Sequence, residues 1–249
     1  MLRTSPRLIA LVSRPVGQGI RSRTGFTLIE LLAAVSIIVL LVALLIPAAG
    51  KVRMKGLEAK GVGNLRQVGV AVMMYANDNK LSLPGPAPLG IVPYYSKAGA
   101  ATSYAFGAKI APYLGLPDSG PARTDLVDVS VLEDPGFMDA VKNPPLNTPV
   151  FIQNPVLSDQ PGVAGKVHIF GIQSSTLPQA ALTMHDVANI GGPSKVWMLT
   201  TVDQKLPSSV TNKSGWVPNL PALPPYGEVR LRLFVDGHVE TVPLDASLP

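Results

Sequence analysis

From Leu31 to Ala49 the chain reads LLAAVSIIVLLVALLIPAA, and Ser36 is the only polar side chain in those 19 residues. A helix of about 20 apolar residues matches the roughly 30 Å hydrocarbon core of a bilayer. The run is longer than the roughly 7–15 apolar residues of a secretory signal. In lipid every backbone N–H and C=O must be satisfied within the segment, so a single such stretch has to be helical. This constrains the rest of the fold: one end is a membrane helix, and the remainder must form its own core outside the bilayer.

Charge supports that division. The whole chain has 21 basic and 16 acidic side chains, but five of the basic ones, Arg3, Arg7, Arg14, Arg21 and Arg23, lie ahead of the apolar run with no acid among them. The remainder is balanced in charge, so the basicity is not spread over a folded surface as in a nucleic-acid binder. It reads as a topology signal that keeps the N-terminus in the cytoplasm and puts the rest across the inner membrane. A second cluster, Lys51, Arg53, Lys55 and Lys60, follows on the far side. Cysteine is absent, which removes disulfides, thiolate metal sites and a cysteine nucleophile.

Glu30 stands one residue before the apolar run. Thr27-Leu28-Ile29-Glu30 has the S/T-x-x-E spacing of a capping box, in which threonine and glutamate satisfy the free amides at a helix start. A carboxylate at a membrane edge also reads as a functional group that needs a cationic partner. Spacing alone favours the cap.

The segment Thr24-Gly25-Phe26-Thr27-Leu28-Ile29-Glu30-Leu31-Leu32, with the apolar run and Pro47 behind it, resembles the N-terminal cleavage and methylation motif of type IV prepilins and type II secretion pseudopilins. The resemblance covers about residues 20–80. It implies that prepilin peptidase cuts after Gly25 and methylates Phe26. It implies that Glu30 is an assembly glutamate, pairing with the amine of Phe26 on a neighbouring subunit. An unpaired carboxylate in low dielectric is costly, so such a pair would set the axial register of packed subunits. On this reading Glu30 is more than a cap.

Pro47 removes one helix hydrogen bond and predicts a kink. Beyond it Leu57, Gly61, Leu65, Val68, Val72 and Tyr75 recur on one helical face. The spacing predicts a helix from about Phe26 to about Asn79, roughly 80 Å long, with bending or fraying between Gly50 and Gly63. Small residues there also permit close approach between helices of neighbouring subunits. Pro84, Pro86, Pro88 and Pro93 forbid helix in the connector that follows. A short helix is expected from about Tyr104 to Tyr113, and loops with short extended pieces such as 149–153 over residues 115–165. Strands are expected at 167–173, 194–202 and 229–235. In the last of these Val229, Leu231, Leu233 and Val235 share one face and Arg230, Arg232 and Phe234 the other. Asp236-Gly237 supplies a hairpin turn, and His238 to Val242 returns.

Val235-Asp236-Gly237-His238-Val239 resembles the end of the H-X9-DG domain carried by many pseudopilin-like proteins. In that pattern a histidine precedes the Asp by ten positions. Tyr226 occupies that place here, so the resemblance assigns no histidine role.

Catalytic signatures are missing. His168, His185 and His238 have no helical ligand spacing, and GxSxG, HExxH and Walker patterns are absent. Asp125, Asp128, Glu133, Asp134 and Asp139 make an acidic loop. It reads first as a solvated face; its oxygen-rich chemistry also suits calcium, though without EF-hand spacing. Trp197 is read as core and Trp216 as an exposed contact residue.

These readings give an α+β chain: a long N-terminal transmembrane helix packed on a C-terminal antiparallel β-sheet head, as in pilins. Residues 1–25 form a leader cleaved after Gly25, 26–80 the membrane and stalk helix, and 81–249 the head. The expected role is that of a non-enzymatic structural subunit of a type IV pilus or type II secretion pseudopilus. Its expected partners are prepilin peptidase, other pilin subunits and the inner-membrane assembly machinery, with no nucleic acid. It would be a single-pass inner-membrane protein with a periplasmic head, later part of an extracellular filament. The alternative is a monomeric, membrane-anchored envelope binding protein that uses the same signal.

Overall fold

The computed structural model describes residues 25–96, 105–117, 125–155, 168–172, 179–211 and 214–244. The chain divides into two compact units whose boundary, Ala48 to Ala49, falls inside the first helix. That helix, α1, runs Leu28–Asp78 and continues through Pro47 and across Gly50 to Gly63 without a break. The fraying expected between Gly50 and Gly63 does not occur. In the second unit those residues belong to a helix whose next turns are anchored by packing, and tertiary packing outweighs weak intrinsic propensity.

The second unit is α+β. Its main sheet has five strands in the order β1-β4-β5-β6-β7, with every neighbouring pair antiparallel. The strands are β1 (Gly90–Ile91), β4 (Phe151–Gln153), β5 (Trp197–Thr201), β6 (Val229–Phe234) and β7 (Val239–Pro243). A separate pair joins β2 (Tyr94–Ser96) to β3 (Leu126–Asp128). Short helices α2 (Ala105–Ile110), α3 (Pro135–Ala140), α4 (Met184–Asn189) and α5 (Ser208–Thr211) fill the connections. The acidic stretch expected as loop thus holds β3 and α3. Asp134 caps α3 and Pro135 opens it, a helix start whose Asp-Pro signal is readable in the sequence.

Within the second unit α1 lies directly on β6. Gly61, Leu65, Val68 and Val72 are buried, and Leu57 and Tyr75 are half-buried, as the sequence periodicity predicts. The approach is close because Gly61 and Gly69 lack side chains. A Cβ on Gly61 would stand 2.3 Å from the Tyr226 hydroxyl and 2.9 Å from Leu231. A Cβ on Gly69 would stand 3.1 Å from both Gly237 and Leu233. These two glycines therefore serve packing inside one chain.

One strand expectation is corrected. Residues 168–172 are not a strand; they form a turn with one bridge, Ile172 to Gln179. Gly171 has φ +66°, and the Gln153 side chain replaces a ladder partner. It accepts from Phe170 N–H at 2.9 Å and donates to Gly171 O at 3.2 Å. Strand β6 forms where the alternation places it, and both of its faces are covered: Arg230, Arg232 and Phe234 are buried as well. The second face is covered because Arg230 makes a bidentate pair with Asp203, at 2.6 and 3.0 Å, and Arg232 stacks over Trp197 at 5.5 Å. Both charges are therefore compensated or spread over an aromatic face.

Asp236 and Gly237 lie in the turn between β6 and β7. Gly237 has φ +86°, its N–H donates to Phe234 O at 2.9 Å, and Asp236 Oδ1 accepts from His238 N–H at 3.1 Å.

Candidate functional site

The N-terminal signal is built on the first turn of α1. Thr27 is the residue before the helix, and its carbonyl accepts from Leu31 N–H at 3.2 Å. Its hydroxyl accepts from Glu30 N–H at 3.3 Å, and Glu30 Oε2 accepts from Thr27 N–H at 2.9 Å and from Thr27 Oγ1 at 2.8 Å. The capping box that the spacing predicts is thus complete. Amides that would be orphaned at a helix start are satisfied. Glu30 has its hydrogen bonds within its own turn, and it remains exposed on one side.

Past this cap the helix presents apolar side chains all round. Phe26 is 82% exposed, and Leu28, Ile29 and the large residues from Leu31 to Ile46 are also exposed. Ser36, the one polar side chain of the run, donates to Leu32 O at 2.8 Å. A serine that bonds its own helix backbone presents no free donor to lipid. Among the described residues α1 is the one helix long and apolar enough to cross a membrane, and none of its most apolar window is buried in the protein.

Gly25 and Phe26 are described, and the segment ahead of them lies outside the described residues. Residues 20–46 match the prokaryotic N-terminal methylation motif. The match takes in the Gly25-Phe26 junction, Glu30 and most of the apolar run, and none of the head. The chain therefore carries a type IV prepilin-like signal. No curated protein matches the chain, and no solved structure matches it.

A second polar cluster lies in the head, around Tyr226. Tyr226 is buried, and its hydroxyl donates to Asp134 Oδ1 at 2.6 Å and accepts from Gly136 N–H at 3.3 Å. Asp134 Oδ1 also accepts from Gly136 and Phe137 N–H at 2.8 and 3.0 Å, while Oδ2 has no hydrogen-bond partner. Burial pushes the Asp134 carboxyl up to about 6, against the lowering effect of the donors from Tyr226, Phe137 and Gly136. Burial, then the neighbouring Asp134, push the Tyr226 phenol up as well. Tyr226 thus ties the cap of α3 to α1 at Gly61. The sequence marks this place only as a departure from a pattern, and the partner lies 92 residues away in the chain.

The other acids of the loop do not join Asp134. Asp139 accepts from Arg53 and, at 3.3 Å, from Lys142, and these cations hold its carboxyl below the usual range, Lys142 most strongly. The Glu133 carbonyl accepts from Asn64 Nδ2 at 3.0 Å, and Asp125 and Asp128 are exposed. Among the described residues no three His, Asp or Glu side chains converge as a metal site. Trp216 is half-buried against the core rather than exposed. His238 pairs with Asp236 and stacks on Phe234, with centroids 4.3 Å apart. The sequence reading also missed the Asp203–Arg230 pair, for which no local pattern exists.

Proposed function

We propose that the chain is a pilin-like structural subunit, cleaved after Gly25, methylated at Phe26 and assembled through α1 into a type IV pilus or type II secretion pseudopilus. The single observation that carries this reading is the methylation-motif match over residues 20–46, continuous with a capped helix whose apolar side chains have no partner in the fold. On this reading residues 1–25 are the leader, 26–80 the membrane and stalk helix with Pro47 as its kink, and 81–249 the head. Prepilin peptidase, other pilin subunits and the inner-membrane assembly machinery are its partners. The head lies in the periplasm and, after assembly, in an extracellular filament. Glu30 then exchanges its contacts with Thr27 for the amine of Phe26 on a neighbouring subunit. No cofactor or catalytic step is needed.

Mass spectrometry of the N-terminus from membranes tests the processing step: mature protein is expected to begin with methylated Phe26, and a start at Met1 refutes it. Glu30→Ala is expected to lose filament incorporation; unchanged incorporation removes the assigned role. One observation favours the alternative of a monomeric anchored envelope binding protein: the Glu30 carboxylate is already satisfied by Thr27. Crosslinking between α1 helices of neighbouring copies separates the two readings, since a monomer gives none.

A further inference from the structure

The far-side basic cluster is not used by the assembly reading. It also opposes the charge asymmetry that places the N-terminus in the cytoplasm. No acid occurs between Glu30 and Glu58, so the first charges after the apolar run are Lys51, Arg53 and Lys55. At about 1.5 Å per residue these stand roughly 3, 6 and 9 Å along the helix beyond Ala49. One headgroup layer, half the difference between a roughly 30 Å hydrocarbon core and a whole bilayer of about 40–45 Å, is about 5–8 Å deep, so Lys51 and Arg53 fall within it and Lys55 at its outer edge. All three side chains are exposed, Arg53 at 67% and Lys55 at 74%.

Their internal partners leave charge over. Arg53 shares Asp139 with Lys142, and Lys55 pairs with Glu58 at 2.6 Å. Lys51 has no ion pair among the described residues. Exposed pairs of this kind are worth little and exchange readily for another anion. Lys51 and Lys55, four residues apart, lie on one face of the helix. Their apolar stems can lie along the lipid boundary while the ammonium groups reach the headgroups.

We propose that Lys51, Arg53 and Lys55 form a collar that binds the anionic headgroups of the outer leaflet of the anchoring bilayer, fixing the depth of α1 and the seat of the head. The proposal rests on the reading that residues 31–49 span that bilayer. It adds a lipid partner, and it implies that withdrawal of the helix must first break phosphate contacts. It also accounts for a basic cluster on the side where the topology rule does not call for one.

The test uses the full chain in nanodiscs made of equal parts phosphatidylcholine and phosphatidylglycerol. Lipids retained on release are counted by native mass spectrometry. The wild-type chain is expected to retain phosphatidylglycerol preferentially and to lose that preference in high salt. Each of Lys51→Gln and Lys55→Gln is expected to lower the preference about five-fold. The leader arginines are common to all variants and cancel. Lys195→Gln with Lys205→Gln, on the exposed head, is expected to change nothing. Equal retention of the two lipids by wild type, or an unchanged preference in Lys51→Gln with Lys55→Gln, overturns the collar while leaving the anchor intact. Failure of the chain to enter these nanodiscs overturns the anchor itself and the collar with it.

Discussion

Two stretches of the same helix face different surroundings. From Leu31 to Ile46, with Ser36 its one polar side chain, α1 is apolar on every side and exposed on every side. From Leu57 to Asp78 it carries one buried stripe, Gly61, Leu65, Val68, Val72 and Ala76, with Arg66, Gln67, Asn77 and Asp78 exposed away from it. An all-round apolar helix belongs in lipid or in the centre of a bundle, whereas a striped one belongs on the side of a core. One continuous backbone thus carries two kinds of surface, and the composition of its faces distinguishes them.

The largest effect should come from putting the same charge in both stretches. Val68→Asp buries an unpaired carboxylate in the core, which costs several kcal/mol. Cooperative thermal unfolding of the head, followed by circular dichroism, is expected to disappear. Val39→Asp should leave the melt of the head intact and instead weaken membrane integration, read by carbonate extraction. If both variants fail in the same assay, the two stretches are not distinct.

Next comes the Asp134 cluster, which belongs only to the packed stretch. Its carboxyl is held at about 6 in the fold against an ordinary value of 3.8. The folded state therefore binds the proton more tightly than the unfolded state. The corresponding stability is complete below about pH 4, is lost as pH rises to about 6, and changes little above that. The full swing is on the order of 3 kcal/mol. Urea denaturation from pH 4 to 7 should show this decline in wild type and lack it in Asp134→Asn. A decline that persists in the variant assigns the titration elsewhere.

Smaller effects separate glycines on two sides of the packed stretch. Gly61→Val drives a side chain into Tyr226 and Leu231 and is expected to cost about 1–3 kcal/mol. Gly63→Ala meets nothing within 4 Å and should gain up to about 1 kcal/mol from helix propensity. Opposite signs in urea midpoints are the signature. The smallest change should be Arg53→Ala, which removes an exposed ion pair to Asp139 and should shift head stability by no more than about 1 kcal/mol.

Much of α1 was legible in the sequence because helix periodicity and capping are local. The Thr27–Glu30 box follows from a spacing of three, and the buried stripe follows from steps of three and four. The β6–β7 hairpin was legible for the same reason, since Asp236-Gly237 carries its own turn preference. The strand expected at 167–173 was misread. Apolar Ile169 and Phe170 are buried in a turn, and the hydrogen bonds that a sheet neighbour would make come from Gln153. Strands β1, β2 and β3 are two or three residues long, too short for period-two alternation to register.

By itself the sequence determined where the apolar run begins and ends, where the helix starts, and which face of its second half is buried, because these depend on residues within a turn or two of each other. Only the tertiary structure decided that Tyr226 closes over Asp134, that Gly61 and Gly69 seat the helix on β6, and that both faces of β6 are covered. Those contacts join residues far apart in the chain. Their energies come from burial and from paired polar groups, which appear only when the fold brings the partners together.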